Sequence, residues 1–264
     1  MGKRDLENLL DSVTTSDYVK WNKERILSCI DELQNLLNLT GVKTLDLGHD
    51  TLVGLLLAKT GVELVGNIAP LNETESLAPP PQTSQFKLPN GDTYKWRLDP
   101  FDFETTFPYQ DGSFELVTAF EVIEHVLGSP RRFIREIKRV LKPGGHLFLG
   151  TPNINSWPKI LRQFQHAPVY DSKPYSQDFG PRHFMCHVYE YSPWELKTLL
   201  RSEGFEIVSF RTWNPYPSDP KGPRSFVLRT LLSLSLFACG YFKESALLFK
   251  DRGHQIGLLA RSTS

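Results

Sequence analysis

The sequence predicts an α/β protein, with an open, mostly parallel sheet and helices on both of its faces. Short apolar runs typical of buried strands alternate with longer stretches whose apolar residues recur at helical spacing. Glycine and proline mark most of the boundaries between these segments. Strands that alternate with helices in this way are joined by crossover connections, which favour parallel pairing.

Composition and charge narrow the class of protein. The chain has 264 residues, of which 40% are hydrophobic and 23% charged, as in soluble proteins with a sizeable core. The 30 basic and 30 acidic side chains give no net charge, so the overall charge does not indicate a nucleic-acid partner. The first residues lack an apolar signal sequence, and three scattered cysteines favour reduced thiols. We therefore expect a cytoplasmic protein.

The first elements are a helix and two strands around a turn. Apolar side chains at helical spacing predict an amphipathic helix over 17–39, within a helical N-terminal region at 1–40 that precedes a domain at 41–264. "KTLDLG" and "VELVGNI" are typical of buried strands, and the helix between them should end at Gly61. The proline-rich stretch 70–85 predicts a surface loop.

The second half of the domain continues the alternation. A hairpin should turn at Asn90 and Gly91, and "FELVTAF" predicts the next apolar strand. Ser129 and Pro130 are typical of a helix start, with glycines 144 and 145 past its end. Further on, we expect a strand at 146–153, a helix at 192–204 with a capping box from Ser192 to Glu195, and strands at 205–213 and 254–262.

Polar residues gather where the predicted strands end. In an open parallel sheet, ligands bind beyond the carboxyl ends of the strands, where the strand order reverses. The segments that should meet there are 48–52, 67–68, 101–104, 120–125 and 151–153.

Residues 98–153 resemble the class I S-adenosylmethionine-dependent methyltransferases. The fragments "FPYQDGSFELV", "EVIEH", "REIKRVLKPGG" and "TPN" occur there in the order and spacing of that family. "VKTLDLGHDTLVGLLLAKTGVELVGN" is similar to the family's first motif and second strand, and "RHFMCHVYEYSPWELKTLLRSEGFEIV" to its later part. The resemblance covers most of residues 40–210.

The resemblance implies a Rossmann-like, doubly wound sheet of seven strands with an antiparallel last strand. It also implies S-adenosylmethionine as cofactor and methyl transfer to a small molecule or glycan, with oxygen as the attacking atom. The implied positions are Asp46 and Gly48 under the methionine end of the cofactor, Asp102 and Phe103 near the adenine, and Phe120, Glu121 and Val122 along the cleft near the transferable methyl group.

Two departures from the family pattern bear on cofactor binding. The glycine-rich turn is Gly48-His49-Asp50-Thr51-Leu52, and the acid expected after the second strand is replaced by Asn67 or Ile68. His49 either touches the cofactor or faces solvent, and Asp50 either lies near the cofactor or caps the next helix. These departures favour the alternative of a catalytically inactive binding or scaffold protein.

Three histidines are candidates for the base that accepts a proton from the acceptor: His125, His183 and His187. His183 and His187, together with Cys186, also have a spacing that could ligate a metal. Because no fourth ligand is evident nearby, the sequence predicts no metal site.

The segment 225–242 is strongly apolar and is interrupted by Arg229. Since a central charge is costly in lipid, we expect a helical insertion at about residues 222–250, packed on the domain or on a second copy as a homodimer face. Contact with a membrane surface is the alternative.

Overall fold

A computed structural model describes residues 3–13, 17–68, 80–164, 187–213 and 251–263. The helices in these ranges are α1 (Lys3–Val13), α2 (Asp17–Leu36), α3 (Thr51–Lys59), α4 (Pro130–Val140), α5 (Trp157–Phe164) and α6 (Pro193–Ser202), with a 3-10 turn at Ile123–His125. The strands are β1 (Lys43–Leu47), β2 (Glu63–Ile68), β3 (Gln82–Lys87), β4 (Thr93–Pro100), β5 (Phe114–Phe120), β6 (Leu141–Pro152), β7 (Phe205–Trp213) and β8 (Gln255–Ser262).

The strands form one sheet in the order β3-β4-β2-β1-β5-β6-β8-β7. The neighbours from β4 to β6 pair in parallel, whereas β8 runs antiparallel to both β6 and β7. The predicted α/β class, the mostly parallel sheet and the antiparallel last strand are therefore confirmed. The strand order reverses between β1 and β5, which places the expected ligand edge at their carboxyl ends.

The prediction of seven strands is wrong by one, because part of the predicted loop 70–85 is strand β3. This strand pairs antiparallel with β4 through the hairpin predicted at Asn90 and Gly91. Its side chains are mostly polar and exposed, so it lacks the apolar alternation by which a half-buried strand is identified.

Helices cover both faces of the sheet. Apolar side chains of α4 and α6 pack in one core cluster, with Phe133 and Leu196 among its buried members. Apolar side chains of α1, α2 and α3 pack in a second cluster, which includes Leu10, Ile30 and Leu56. Helices α1, α2 and α3 therefore belong to the same layer on the sheet.

Helix ends follow the predicted signals with one difference. Ser192 and Glu195 form the complete capping box of α6, and Gly61 and Gly204 have positive φ just after α3 and α6. Helix α4 ends at Val140, before the glycines that were expected to mark its end, because Leu141 already has extended backbone and begins β6.

None of the described helices combines the length and apolar character that crossing a bilayer requires. The helical insertion predicted at about residues 222–250 lies outside the described residues.

Candidate functional site

The turn after β1 carries one glycine that its geometry requires. Gly48 has φ +63°, and a Cβ on this residue would lie 2.6 Å from Cγ2 of Val122. Val122 is 2% exposed and follows β5, across the point where the strand order reverses. Gly48 itself remains exposed, so the backbone of the turn is open at the sheet edge while Val122 packs against it.

His49 is buried, so the alternative of a solvent-facing ring is wrong. Its side chain is 2% exposed, with Nδ1 lying 2.8 Å from Oδ2 of Asp46. The indole N–H of Trp96 donates to Nε2 of His49 at 2.9 Å. Because an indole can only donate, Nε2 is the acceptor and the proton of a neutral ring lies on Nδ1.

Two glycines make room for the His49 ring. A Cβ on Gly54 of α3 would lie 2.1 Å from the ring, and a Cβ on Gly66 of β2 would lie 2.6 Å from it. The imidazole thus fills the space between α3 and the sheet beneath the turn. A larger residue at either glycine would overlap the ring. His49 can affect a cofactor through its backbone and through the shape that its ring imposes on the turn.

Asp46, at which the resemblance implied the methionine end of the cofactor, lies buried in β1 just before the turn. It is 1% exposed, and its Oδ1 accepts a hydrogen bond of 2.7 Å from the hydroxyl of Thr118 on β5. With Oδ2 held by His49, both carboxylate oxygens have partners inside the protein. In this structure Asp46 joins β1, the turn and β5.

Asn67 lies near the end of β2, at the position of the expected acid, and its side chain forms hydrogen bonds with residues that follow β1 and β4. Its Oδ1 accepts from the amide of Gly48 at 3.3 Å, and its Nδ2 donates to the carbonyl of Phe101 at 2.8 Å. The residue is fully buried, and Ile68 after it ends β2 half-buried. A carboxylate could not donate to the Phe101 carbonyl, which explains physically why an amide occupies this position.

Asp50 caps α3, as the simpler of the two interpretations expected. Its Oδ1 accepts from the amides of Leu52 at 2.8 Å and Val53 at 3.4 Å. These are amides that an anion at the helix start would otherwise use.

The loop after β4 forms the next part of the edge. Asp102 is exposed and accepts from the amide of Glu104, while the half-buried ring of Phe103 packs against Phe133. Glu104 accepts from the amides of Leu127 and Gly128, both at 2.8 Å. This carboxylate therefore joins the loop after β4 to the loop after the 3-10 turn.

The residues after β5 have an unusual backbone. Glu121 has φ +57°, a conformation that costs energy in a residue with a side chain and that clusters at functional sites. Its carboxylate pairs with Arg25 of α2 and accepts from Gln255 of β8. Phe120 before it is half-buried and packs against Phe148, and Phe120 and Glu121 both lie where β5 ends.

A cluster of Glu124, His125 and His187 lies at the end of β5, and one ligand-type atom from each residue lies within 4.8 Å of the others. The two imidazole centroids are 5.0 Å apart. The carbonyl of Glu124 accepts from the amides of Val188 and Tyr189, which holds the segment after His187 against the 3-10 turn.

Glu124 is fully buried, and Thr151 donates to its Oε2 at 2.9 Å. Burial, together with the nearby charge of Glu121, raises the pKa of Glu124 well above its ordinary value. His187 places Nδ1 2.8 Å from Oε1 of Glu190, whose other oxygen pairs with buried Lys159. Burial raises the pKa of Glu190, but its bonds to His187 and Lys159 outweigh this and lower it overall.

The structure thus brings two of the three candidate bases together, His125 and His187, beside the edge that holds the candidate cofactor residues. His183 and Cys186 lie outside the described residues. The roles of Trp96, Arg25 and Glu190 were not predicted from the sequence. The partners of Trp96 and Arg25 are distant in sequence, and so is Lys159, which pairs with Glu190. The one local signal for Glu190 is its position three residues after His187.

The residues at this edge suit S-adenosylmethionine in their chemistry. The backbone of Gly48 is exposed, so an amino-acid group could approach it from the open side, while Val122 fills the space where a Cβ would lie. The half-buried rings of Phe103 and Phe120 and the exposed carboxylate of Asp102 match a flat base and a hydroxylated sugar.

A family model described as a methyltransferase domain matches residues 13–210 of this chain. A ubiquinone biosynthesis O-methyltransferase of Xanthomonas euvesicatoria is 27% identical over 189 residues, which are 71% of this chain and 73% of that protein. The protein of the same description from Cupriavidus pinatubonensis is 32% identical over 110 residues, which are 40% of each chain.

Solved structures show the same fold. An S-adenosylmethionine-dependent methyltransferase of Thermotoga maritima aligns with a TM-score of 0.54 at 18% identity, over 98% of this chain and 99% of that one. One from Methanosarcina mazei aligns with a TM-score of 0.52 at 19% identity, over 88% and 97%.

Proposed function

The chain belongs to the methyltransferase-domain family and uses S-adenosylmethionine as cofactor, and from this premise we propose that it methylates an oxygen of a small molecule or glycan. The observation that carries the choice of oxygen is the pairing of His125 with His187 beside the cofactor edge. A hydroxyl must lose its proton when it is methylated, and imidazoles are the side chains best suited to accept one near neutral pH. The similarity to two ubiquinone biosynthesis O-methyltransferases supports the same choice.

We assign the binding of the cofactor to the strand ends around the reversal of strand order. The backbone of Gly48 would face the methionine end, above the buried groups of Asp46, His49 and Asn67, with Asp50 and Ile68 at its sides. Asp102 and Phe103 would lie beside the adenosine end. Phe120, Glu121 and Val122 would form the wall nearest the acceptor.

When bound, S-adenosylmethionine supplies a methyl group on a positively charged sulfur, which leaves as a neutral thioether. The residues of this chain have two tasks. The edge aligns the acceptor oxygen with the methyl carbon, which can account for most of the acceleration. The histidine cluster takes the hydroxyl proton as the new O–C bond forms and the S–C bond breaks.

A second candidate function, a binding or scaffold protein, is favoured by one observation. The first turn keeps one of three family glycines, the His49 ring fills the space beneath it, and Val122 from the segment after β5 packs against Gly48. A protein with this turn could retain the fold and bind the cofactor weakly or not at all.

Calorimetric titration with S-adenosylmethionine and with its demethylated product separates the two candidates. We expect binding of both ligands at micromolar to submillimolar concentration. A folded protein that binds neither at millimolar concentration would support the scaffold function. A panel of phenols, sugars and amines, followed by release of the demethylated product, then tests the acceptor class. Turnover restricted to amines would contradict O-methylation.

A further inference from the structure

We propose that Glu124, His125 and His187 bind one divalent transition-metal ion of the zinc class beside the cofactor edge. The three side chains already approach one another, with one ligand-type atom from each within 4.8 Å of the others. Ligands of a tetrahedral zinc ion lie about 2.0–2.2 Å from the metal, so small side-chain rotations would close the cluster around one ion.

Glu124 supplies the independent observation that points to a cation. Its residue is fully buried, and its Oε2 accepts from Thr151. Its Oε1 is buried and has no hydrogen-bond partner among the described residues. An oxygen without a partner in a buried carboxyl group costs free energy, because nothing replaces the water it has lost. A metal ion bound to Oε1 would remove this cost.

The surroundings of His187 are those of a histidine that ligates a metal. Its Nδ1 lies 2.8 Å from Oε1 of Glu190, so Nε2 would be the nitrogen that binds the ion. Glu190 is in turn fixed by its buried pair with Lys159. Carboxylates in this outer position orient ligating histidines and strengthen them as ligands.

The two histidines come from separate parts of the chain, and backbone bonds hold them together. His125 ends the 3-10 turn after β5, and His187 precedes β-bridged Tyr191 near α6. The amides of Val188 and Tyr189 donate to the carbonyl of Glu124, at 2.8 and 3.2 Å. The geometry of the cluster is therefore set by main-chain contacts that exist before any ion binds.

Two imidazoles and one carboxylate are the ligands of catalytic zinc sites that keep a position open for water or substrate. The same set suits iron, whereas magnesium and calcium prefer oxygen ligands alone. The role of the ion rests on the proposed function. With the ion bound, His125 and His187 act as its ligands and no longer as the base. A hydroxyl at the open position would then release its proton to water more easily, because the cation stabilises the oxygen's negative charge.

The test uses the full chain, stripped with a chelator and titrated with zinc chloride alone, with magnesium chloride in parallel. We expect one zinc ion per chain, measured by elemental analysis after dialysis, with micromolar or tighter affinity and much weaker magnesium binding. His187→Asn, His125→Asn and Glu124→Gln should each weaken zinc binding at least tenfold. His146→Asn is the matched control, since this half-buried histidine of β6 pairs with Leu116 near the start of β5, whereas the cluster follows the end of β5.

Circular dichroism checks that each variant is folded, and His187→Asn is the variant least able to disturb folding because its side chain is 22% exposed. No zinc binding by the wild type, or equal binding by wild type and His187→Asn, would overturn the proposal. Titration of the same samples with S-adenosylmethionine keeps the two proposals apart. Cofactor binding without zinc binding would refute only the metal site, and zinc binding without cofactor binding would refute only the methyltransferase function.

Discussion

The indole N–H of Trp96 donates to Nε2 of His49 at 2.9 Å, and this bond fixes the histidine beneath the first turn of the candidate cofactor site. Trp96 lies on β4 and His49 follows β1, with β2 between the two strands. The turn thus depends on a contact that spans three strands, and substitution of either residue should change both stability and the shape of the site.

Trp96→Phe should lower the free energy of unfolding by about 1–3 kcal/mol, because it leaves the buried Nε2 of His49 without a donor and removes part of a packed ring. Trp194→Phe is the control, since Trp194 is 74% exposed and should change stability by less than about 0.5 kcal/mol. Denaturant unfolding of both variants provides the comparison. Equal stability of the two variants would show that the bond contributes nothing measurable.

Asn67→Asp should destabilise the fold, although it restores the acid that the family pattern has at the end of β2. The carboxylate would face the Phe101 carbonyl, to which Asn67 now donates, so we expect a loss of about 1–3 kcal/mol. Asn8→Asp on the exposed surface of α1 is the control. Thermal melts and cofactor titrations measure both effects, and tighter cofactor binding at unchanged stability would argue against the structural role of Asn67.

Asp50→Asn should tighten binding of S-adenosylmethionine while leaving the cap of α3 intact. The Asp50 carboxylate would lie near the carboxylate at the methionine end of the cofactor. Two such negative charges 4 Å apart repel by roughly 4 kcal/mol at an effective dielectric of about 20, and solvent reduces this repulsion. A tenfold gain in affinity corresponds to about 1.4 kcal/mol, well within that repulsion. Asparagine caps helices about as well as aspartate, so the melting temperature should change little.

Asp50→Gly provides the companion measurement. It removes the same charge together with the side chain that accepts from Leu52 and Val53, at a cost of a few tenths of a kcal/mol. Weaker cofactor binding by folded Asp50→Asn would mean that the carboxylate contributes to the site and that the cofactor follows a different path past this turn.

Arg25→Met should loosen α2 from the end of β5. The side chains of Arg25 and Glu121 are 13% and 19% exposed, and loss of the cation would leave Glu121 without its charged partner in a strained backbone. We expect a loss of about 1–3 kcal/mol in stability and weaker cofactor binding.

The matched control for this variant is Arg261→Met, which breaks an ion pair with Glu206 whose side chains are 53% and 55% exposed. Such surface pairs contribute about 0–1 kcal/mol. If the two arginine variants lose the same stability in denaturant unfolding, the partly buried pair has no special role at the edge.

Much of the fold follows from local sequence patterns. The strand runs around Leu45, Val65 and Val117 are apolar because both faces of a central parallel strand are covered by helices. The capping box from Ser192 to Glu195 and the turn at Asn90 and Gly91 are likewise predictable from the sequence, since each depends on residues that are close together in the chain. Most of strand β3 was predicted as loop, because its polar side chains carry no periodic apolar signal.

The amino-acid sequence by itself determined which segments become strands and helices, and which of their ends meet at one edge of the sheet. Only the tertiary structure decided what the polar residues do at that edge. His49 is buried because Gly54 and Gly66, from a helix and another strand, leave space for its ring. Glu124 meets His187 because main-chain amides 64 and 65 residues further along the chain bind the Glu124 carbonyl. Burial and partners of this kind arise from contacts between distant segments, and no local pattern encodes them.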